Sequence, residues 1–307
     1  MIIVISFFLL GVVAQLLKAG VQFPKGLYQS LTLFLMIAIG LKGGVALAEH
    51  GDASLLPISL AVIAFGIVLA LVAFFLLQLF GDLGRQNSAS IAAHYGSVSV
   101  GTYAAAVTFL ETQQISYEPY FPVFVVMLEI PAIAAATALL KRSQNEIDLK
   151  GLLHHVFCNQ GVVLMAGGLF IGYIAAEETS TIMPFFKDLF HGVLAIFLLE
   201  MGMVAAKRLT ELKHESGFIS AFGVFMPLLG GIMGGALGAI FGFSLGGVFL
   251  MAVLGGSASY IAAPAAMRIV APDANHGLSI TAALGITFPF NLLVGLPIYS
   301  AWAHWIS

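Results

Sequence analysis

Two short segments carry the residue types from which a small-ion site is built. Gly96-Ser97-Val98-Ser99 and Gly256-Ser257-Ala258-Ser259 share one pattern, a glycine followed by two hydroxyls two residues apart. Both lie inside long apolar stretches, and the helix around each is weakened: HYGSVSVGTY around the first, GGSASYIAAPAA with Pro264 around the second. Inside a helix glycine costs about 1 kcal/mol and proline about 3 kcal/mol relative to alanine. Pro264 also removes a backbone donor and frees a carbonyl one turn earlier. A helix broken there offers N–H groups and hydroxyls to an anion, and free carbonyls to a cation such as sodium. Small residues also serve close helix packing; it is the duplication of the pattern, with a proline beside one copy, that favours a site. A serine nucleophile would need a base, and His94 is the only histidine placed for it; nothing else in the chain supports a Ser–His arrangement.

Further candidates surround these segments. Glu129, two residues before Pro131, and Glu200 sit inside apolar stretches, where an acid is a coupling-site candidate by default. Thr102 and Glu129 are candidates for a sodium shell, which requires oxygen ligands. Tyr95 and Tyr260 flank the breaks as gates or as packing. Asn291, Asn159 and Gln160 read as helix–helix hydrogen-bond formers, and His154 and His155 as a solvated face. Cys158, the one cysteine, reads as a small buried hydrophobe, with neither a disulfide nor a thiolate metal cluster available. No Lys or Arg lies near the middle of an apolar stretch. A polyanion would want such fixed positive charge, so a small, weakly charged anion suits the chain better.

The elements that position these residues follow from composition. Of 307 residues 60% are apolar and only 9% charged, against about 25% charged in soluble domains. The apolar blocks reach the roughly 20 residues needed to cross a bilayer as a helix, and they lack the ~10-residue alternation of a membrane barrel. A net charge of −3 gives no reason to expect a nucleic-acid partner. The sequence predicts ten spans, at roughly 2–20, 26–47, 55–80, 88–110, 119–140, 156–176, 184–206, 216–240, 244–269 and 277–304. The first has no basic residue before Lys18 and so reads as a span rather than a cleaved signal. Alternating the loops puts ten basic residues on one side and only Lys42 and Lys187 on the other, which accounts for all 12. By the positive-inside rule the first side is cytoplasmic and both termini lie outside.

The polar stretch 141–155 divides the chain into residues 1–140 and 156–307, five spans each. The halves resemble one another. Ile39-Gly40-Leu41 matches Met201-Gly202-Met203, Gly96–Ser99 matches Gly256–Ser259, and Glu129-Ile130-Pro131 matches Thr287-Phe288-Pro289, at offsets of 162, 160 and 158. With an odd number of spans per repeat, the second copy enters from the opposite side, the inverted-repeat plan of many secondary transporters. The expected fold is thus all-α: a polytopic membrane protein of ten helices in two inverted five-helix repeats, with a cytoplasmic linker at 141–155.

Several segments carry a family resemblance: GLKGGVALAEHG (40–51), HYGSVSVGTYAAAVTFLETQQISYEPY (94–120), EIPA (129–132), MGM (201–203), FSLGGVFLMAVLGGSASYIAAPAAMR (243–268) and DANHGLSITAALGI (273–286). Together these resemble the sodium-dependent bicarbonate transporter family over nearly the whole chain. The most specific piece pairs ISYE after span 4 with the SLGG and serine-rich segment of span 9. The resemblance implies crossed broken helices in spans 4 and 9 with the substrate where they cross, sodium coupling, a homotrimer in the plasma (inner) membrane, and a regulatory partner of the PII type. The chain departs from the family pattern at Tyr260 and Val204, where other members carry an acid, and at Glu200, where they carry an apolar residue. Its linker is also shorter. The expected activity is sodium-coupled symport of bicarbonate or a similar small monoanion, with Gly96, Ser97, Val98, Ser99, Gly256, Ser257, Ala258 and Ser259 cradling the anion and Thr102, Glu129 or Glu200 coupling the cation. The alternatives are a proton-coupled or sodium/proton-exchanging carrier, and a passive channel. No enzyme activity and no cofactor beyond the sodium ion is expected.

Overall fold

The computed structural model describes residues 2–141, 160–211 and 217–307, and the described residues contain helices and connections but no strand. Residues 142–155 of the expected linker, with His154 and His155, and also Cys158 and Asn159, lie outside the described residues. The first half holds α1 (Ile2–Leu16), α2 (Lys25–His50), α3 (Leu55–Phe80), α4 (Gly84–Tyr95), α5 (Val100–Thr112), α6 (Phe121–Leu128) and α7 (Pro131–Lys141). The second holds α8 (Gln160–Ile174), the short α9 (Ala176–Thr179), α10 (Met183–Glu211), α11 (Gly217–Ile240), α12 (Leu245–Gly256), α13 (Ala262–Val270) and α14 (His276–Ile306). Six stretches are long and apolar enough to cross a membrane: Gly26–His50, Leu55–Phe80, Phe121–Leu140, Met183–Thr210, Gly217–Ile240 and His276–Ile306. The chain is therefore a polytopic helical membrane protein.

The uninterrupted helices lock together through glycine. α1 packs along α10, and α2 along α8. A Cβ on Gly11 would run into the Leu199 carbonyl and Met203 N, and one on Gly202 into the Phe8 carbonyl and Val12 N. In the other pair, a Cβ on Gly168 would meet the Ile37 carbonyl and Leu41 N, and one on Gly40 the Met165 carbonyl and Leu169 N. Adding 157 to the α1 residues and subtracting 162 from the α10 residues turns the first contact set into the second. Where lipid tails leave little hydrophobic driving force between helices, such close backbone approach is a main source of attraction.

Elsewhere the helices break. The first serine segment interrupts one helical path between Tyr95 and Val100, and the second interrupts another between Gly256 and Ala262. Each leading half packs on a neighbour by backbone contact, Gly96 against Gly66 of α3 and Gly255 against Gly230 of α11. The packing equivalent of Gly96 is thus Gly255, next to the Gly256 that the sequence match selects. The stretch 121–141 is interrupted at Glu129 and Ile130, because Pro131 has no N–H to continue the ladder. Pro289 acts on α14 in a related way: wide π turns at Thr281–Thr287 and Asn291–Gly295 flank it. Hence two continuous, glycine-locked helix pairs stand beside two interrupted helices and two proline-distorted ones, and the interruptions carry the polar residues.

Candidate functional site

The two breaks touch. The Ser99 backbone N–H donates to Ser257 Oγ at 3.2 Å, and the Ser259 N–H donates to the His94 carbonyl at 2.8 Å. His94 Nδ1 lies 2.6 Å from the Ser259 carbonyl. A carbonyl only accepts, so Nδ1 carries a proton and donates it to this bond. His94 is therefore a strut that ties the end of α4 to the second break, rather than a base set against a serine hydroxyl. These residues are shut from solvent: His94 is 0% exposed, Ser257 and Ser259 1%, and Ser99 3%.

Ser99 caps α5. Its Oγ accepts from Thr102 N at 3.1 Å and from Thr102 Oγ1 at 2.9 Å, as serine does at a helix start. Ser257 Oγ donates to the Leu254 carbonyl at 3.1 Å, so it meets the Ser99 N–H with a lone pair. Pro264 falls in the first turn of α13, where a missing N–H is harmless. Two buried polar atoms here have no hydrogen-bond partner, His94 Nε2 and Ser259 Oγ, while the Tyr260 hydroxyl lies beside Ser99 and Gly101 at the start of α5. A buried polar group left unpaired costs about 1–3 kcal/mol, so these unpartnered atoms are the costly ones at the crossing of the two breaks.

Ser97 points elsewhere. Its Oγ donates to Glu129 Oε2 at 3.1 Å, toward the α6–α7 interruption. Glu129 is only 2% exposed, the one acid among the buried residues described. The two sodium-shell candidates thus have separate partners, Thr102 on Ser99 and Glu129 on Ser97. Glu200, half-buried on α10, has its Oε2 buried without a partner; its electrostatic neighbour is Tyr28 of α2, which stacks on Phe197 at 6.0 Å. Gly96 and Gly256 are held by contact: a Cβ on Gly96 would meet Gly66, Ala70 and Ala132, and one on Gly256 would meet Tyr299 and Pro227. Val98 and Ala258 are each 2% exposed.

Asn291 forms a helix–helix hydrogen bond, as its place in an apolar stretch suggests, while the partners it meets and the roles of Tyr299 and Thr287 escape sequence reasoning. Asn291 Nδ2 donates to the Gly256 carbonyl at 2.8 Å, satisfying the end of α12. The Tyr299 hydroxyl lies 2.8 Å from Asn291 Oδ1 and 3.0 Å from the Pro227 carbonyl, one proton between two acceptors. Thr287 Oγ1 donates to the Gly223 carbonyl at 2.7 Å, so Tyr95 must be the donor in its 2.7 Å bond to Thr287. The ISYE and SLGG segments also meet. Glu118 accepts from Ser244 N at 2.6 Å and Ser244 Oγ at 3.2 Å. This sets a carboxylate at the N-terminus of α12, where the helix dipole favours it. Glycines 246 and 247 leave room for that approach.

A family model described as the Na+-dependent bicarbonate transporter superfamily matches residues 3–304. Comparison with curated proteins finds no match.

Proposed function

The chain belongs to the Na+-dependent bicarbonate transporter superfamily, and from that premise we propose that it is a secondary active symporter moving bicarbonate, or a similarly small monoanion, with sodium. Membership of a transporter family means that it is not an enzyme. The observation that carries the reading is the direct hydrogen bonding between the two broken helices, with Ser259 Oγ buried and without a hydrogen-bond partner beside it. In this reading the N-terminal turns of α5 and α13 and the hydroxyls of Ser99, Ser257 and Ser259 receive the anion. Glu129, with Ser97, supplies oxygen and charge for sodium, and Thr102 holds Ser99 in place. Gly96, Val98, Gly256 and Ala258 keep the cradle narrow enough for backbone to reach a small ion.

The architecture that goes with it is two inverted five-helix repeats, residues 1–140 and 156–307, joined by a cytoplasmic linker. The interchangeable glycine contacts of α1/α10 and α8/α2 support it, as do the paired breaks and the paired prolines. Lys42 and Lys187, the two basic residues assigned to the outer side, line one cavity, in keeping with that alternation. Both termini then face outside. A cysteine at Ser307, with Cys158 replaced, should react with an impermeant thiol reagent on whole cells, and one at Ser143 should not; the reverse pattern overturns the orientation. We keep the homotrimer in the plasma membrane and a PII-type regulatory partner as part of the same reading.

A second reading, proton coupling, is favoured by the unpartnered Oε2 of Glu200. Uptake of labelled bicarbonate into vesicles holding the purified protein separates the two. Sodium-driven, concentrative uptake supports symport. Uptake that follows a pH gradient without sodium contradicts it, and uptake that never exceeds equilibrium makes the protein a channel.

A further inference from the structure

A cavity of about 450 Å³ opens beside the crossing, between α2, α5, the loop before α6 and the start of α10. That is the size range of small-molecule sites. Its floor reaches Tyr103, whose backbone N–H bonds the Ser99 carbonyl at 2.9 Å. Its ionisable lining includes Lys42, Glu49, Glu111, Lys187 and His191. Lys42 and Lys187 are the two basic residues that the loop alternation leaves on this side of the protein, and both are in this one cavity.

At its mouth these groups already hold a carboxylate. Lys42 Nζ lies 3.3 Å from Glu111 Oε1, and His191 Nε2 lies 3.3 Å from Glu111 Oε2. The Tyr117 hydroxyl sits 3.0 Å from Lys42 Nζ and steadies the ammonium. One planar carboxylate therefore has a different basic side chain beside each oxygen. The three side chains come from three helices, α2, α5 and α10, so no single helix sets the spacing. Bicarbonate and simple carboxylates present the same planar pair of oxygens. The side chains of Lys42, Glu111 and His191 are 49%, 38% and 53% exposed, so water and ions reach them. A pair in that setting is weak and is readily exchanged for another anion.

The geometry points to an anion-binding station at the cavity mouth, formed by Lys42, His191 and Tyr117, in which Glu111 is a built-in competitor for a small planar oxyanion. Resting on the symport reading, its role is to collect the anion in the cavity beside the crossing and release it inward. Glu111 keeps the station weak, so the anion passes on rather than staying. Lys187 adds a second positive charge to the cavity, and Glu49 offsets part of it.

The test has a readout independent of transport. A cysteine at Met183, which lines the cavity, with Cys158 replaced, is labelled in the full-length protein by an anionic and by a neutral thiol reagent. Bicarbonate should slow the anionic reagent selectively. Glu111→Gln should raise the anionic-to-neutral rate ratio several-fold and deepen the protection by bicarbonate. Lys42→Gln should lower both, Lys42→Arg should restore them, and high ionic strength should shrink every difference, since exposed charges are screened. In uptake assays Lys42→Gln should raise KM several-fold with the maximal rate little changed, and Glu111→Gln should lower KM. Labelling ratios and protection unchanged in both variants overturn the station. So does Glu111→Gln behaving like Lys42→Gln, which would make the trio a structural clasp. Bicarbonate protection that follows this pattern in a protein with no sodium-driven uptake leaves the station standing and removes the symport reading instead.

Discussion

The two breaks share one design and differ in chemistry. Each follows a helix that packs by a glycine carbonyl on its neighbour, and each places serines at the start of a second helical half. The first break is backed by an acid, since Ser97 donates to buried Glu129. The second is backed by a neutral amide, Asn291, which closes the Gly256 carbonyl under the Tyr299 hydroxyl. In the proposed inverted repeat, duplication supplies the frame, and divergence leaves an acid behind one break and an amide behind the other. A site for a cation and an anion together needs that inequality: two buried acids facing each other would repel the anion, and two amides would hold sodium poorly.

The largest expected effect breaks the shared frame. Gly96→Val and Gly256→Val put atoms where Ala132 or Tyr299 already sit, so both should abolish uptake and lower the thermal unfolding temperature of detergent-solubilised protein. Uptake retained by either would mean that the close approach is dispensable. The next separates the two backings. Glu129→Gln should weaken sodium at least about 10-fold, because a hydrogen bond or contact to a charged group contributes about 1.5–3 kcal/mol. Asn291→Ala should instead reduce stability by about 1–3 kcal/mol, the cost of an unsatisfied buried carbonyl, with sodium affinity changed less than about twofold. Equal effects on sodium, read from its half-saturating concentration in uptake, would erase the distinction. The smallest effect belongs to Glu200→Gln, which should transport within about twofold of the parent because its Oε2 has no partner to lose. Loss of pH dependence in that variant would move the coupling group from Glu129 to α10.

The breaks were legible in the sequence because glycine, serine and proline weaken a helix through backbone terms that act locally. Glu129 was legible as an acid in an apolar stretch. The direction of Ser97 was not. It depends on Gly96 keeping helical dihedrals, φ −94° and ψ −8°, before the chain extends to φ −101° and ψ 111° at Ser99. Each serine leaves that path on a different side, so Ser97 reaches Glu129 while Ser99 meets Ser257. The glycine locks were hidden for another reason. Gly11 and Gly168 look like many glycines in an apolar helix, and only the helix opposite shows what they admit. Asn291 and Tyr299 act across 35 and 72 residues of sequence on the carbonyls of Gly256 and Pro227, a separation that no local pattern encodes. The meeting of Glu118 with Ser244 was visible only through the family resemblance of the two segments.

The central claim is that the crossing of the two breaks is a binding site and not merely a tight helix contact. Ser→Ala at positions 97, 99, 257 and 259, with bicarbonate affinity measured at fixed sodium on folded protein, tests it most directly. A hydroxyl hydrogen bond contributes about 0.5–1.5 kcal/mol net, or roughly 2- to 10-fold in affinity. The account predicts that loss for Ser99, Ser257 and above all Ser259, whose buried hydroxyl has no protein partner, and for Ser97 a loss expressed mainly in sodium affinity through Glu129. Alanine packs as closely as serine, so four unchanged affinities, with Ser259→Ala equally or more stable than the parent, would contradict the account.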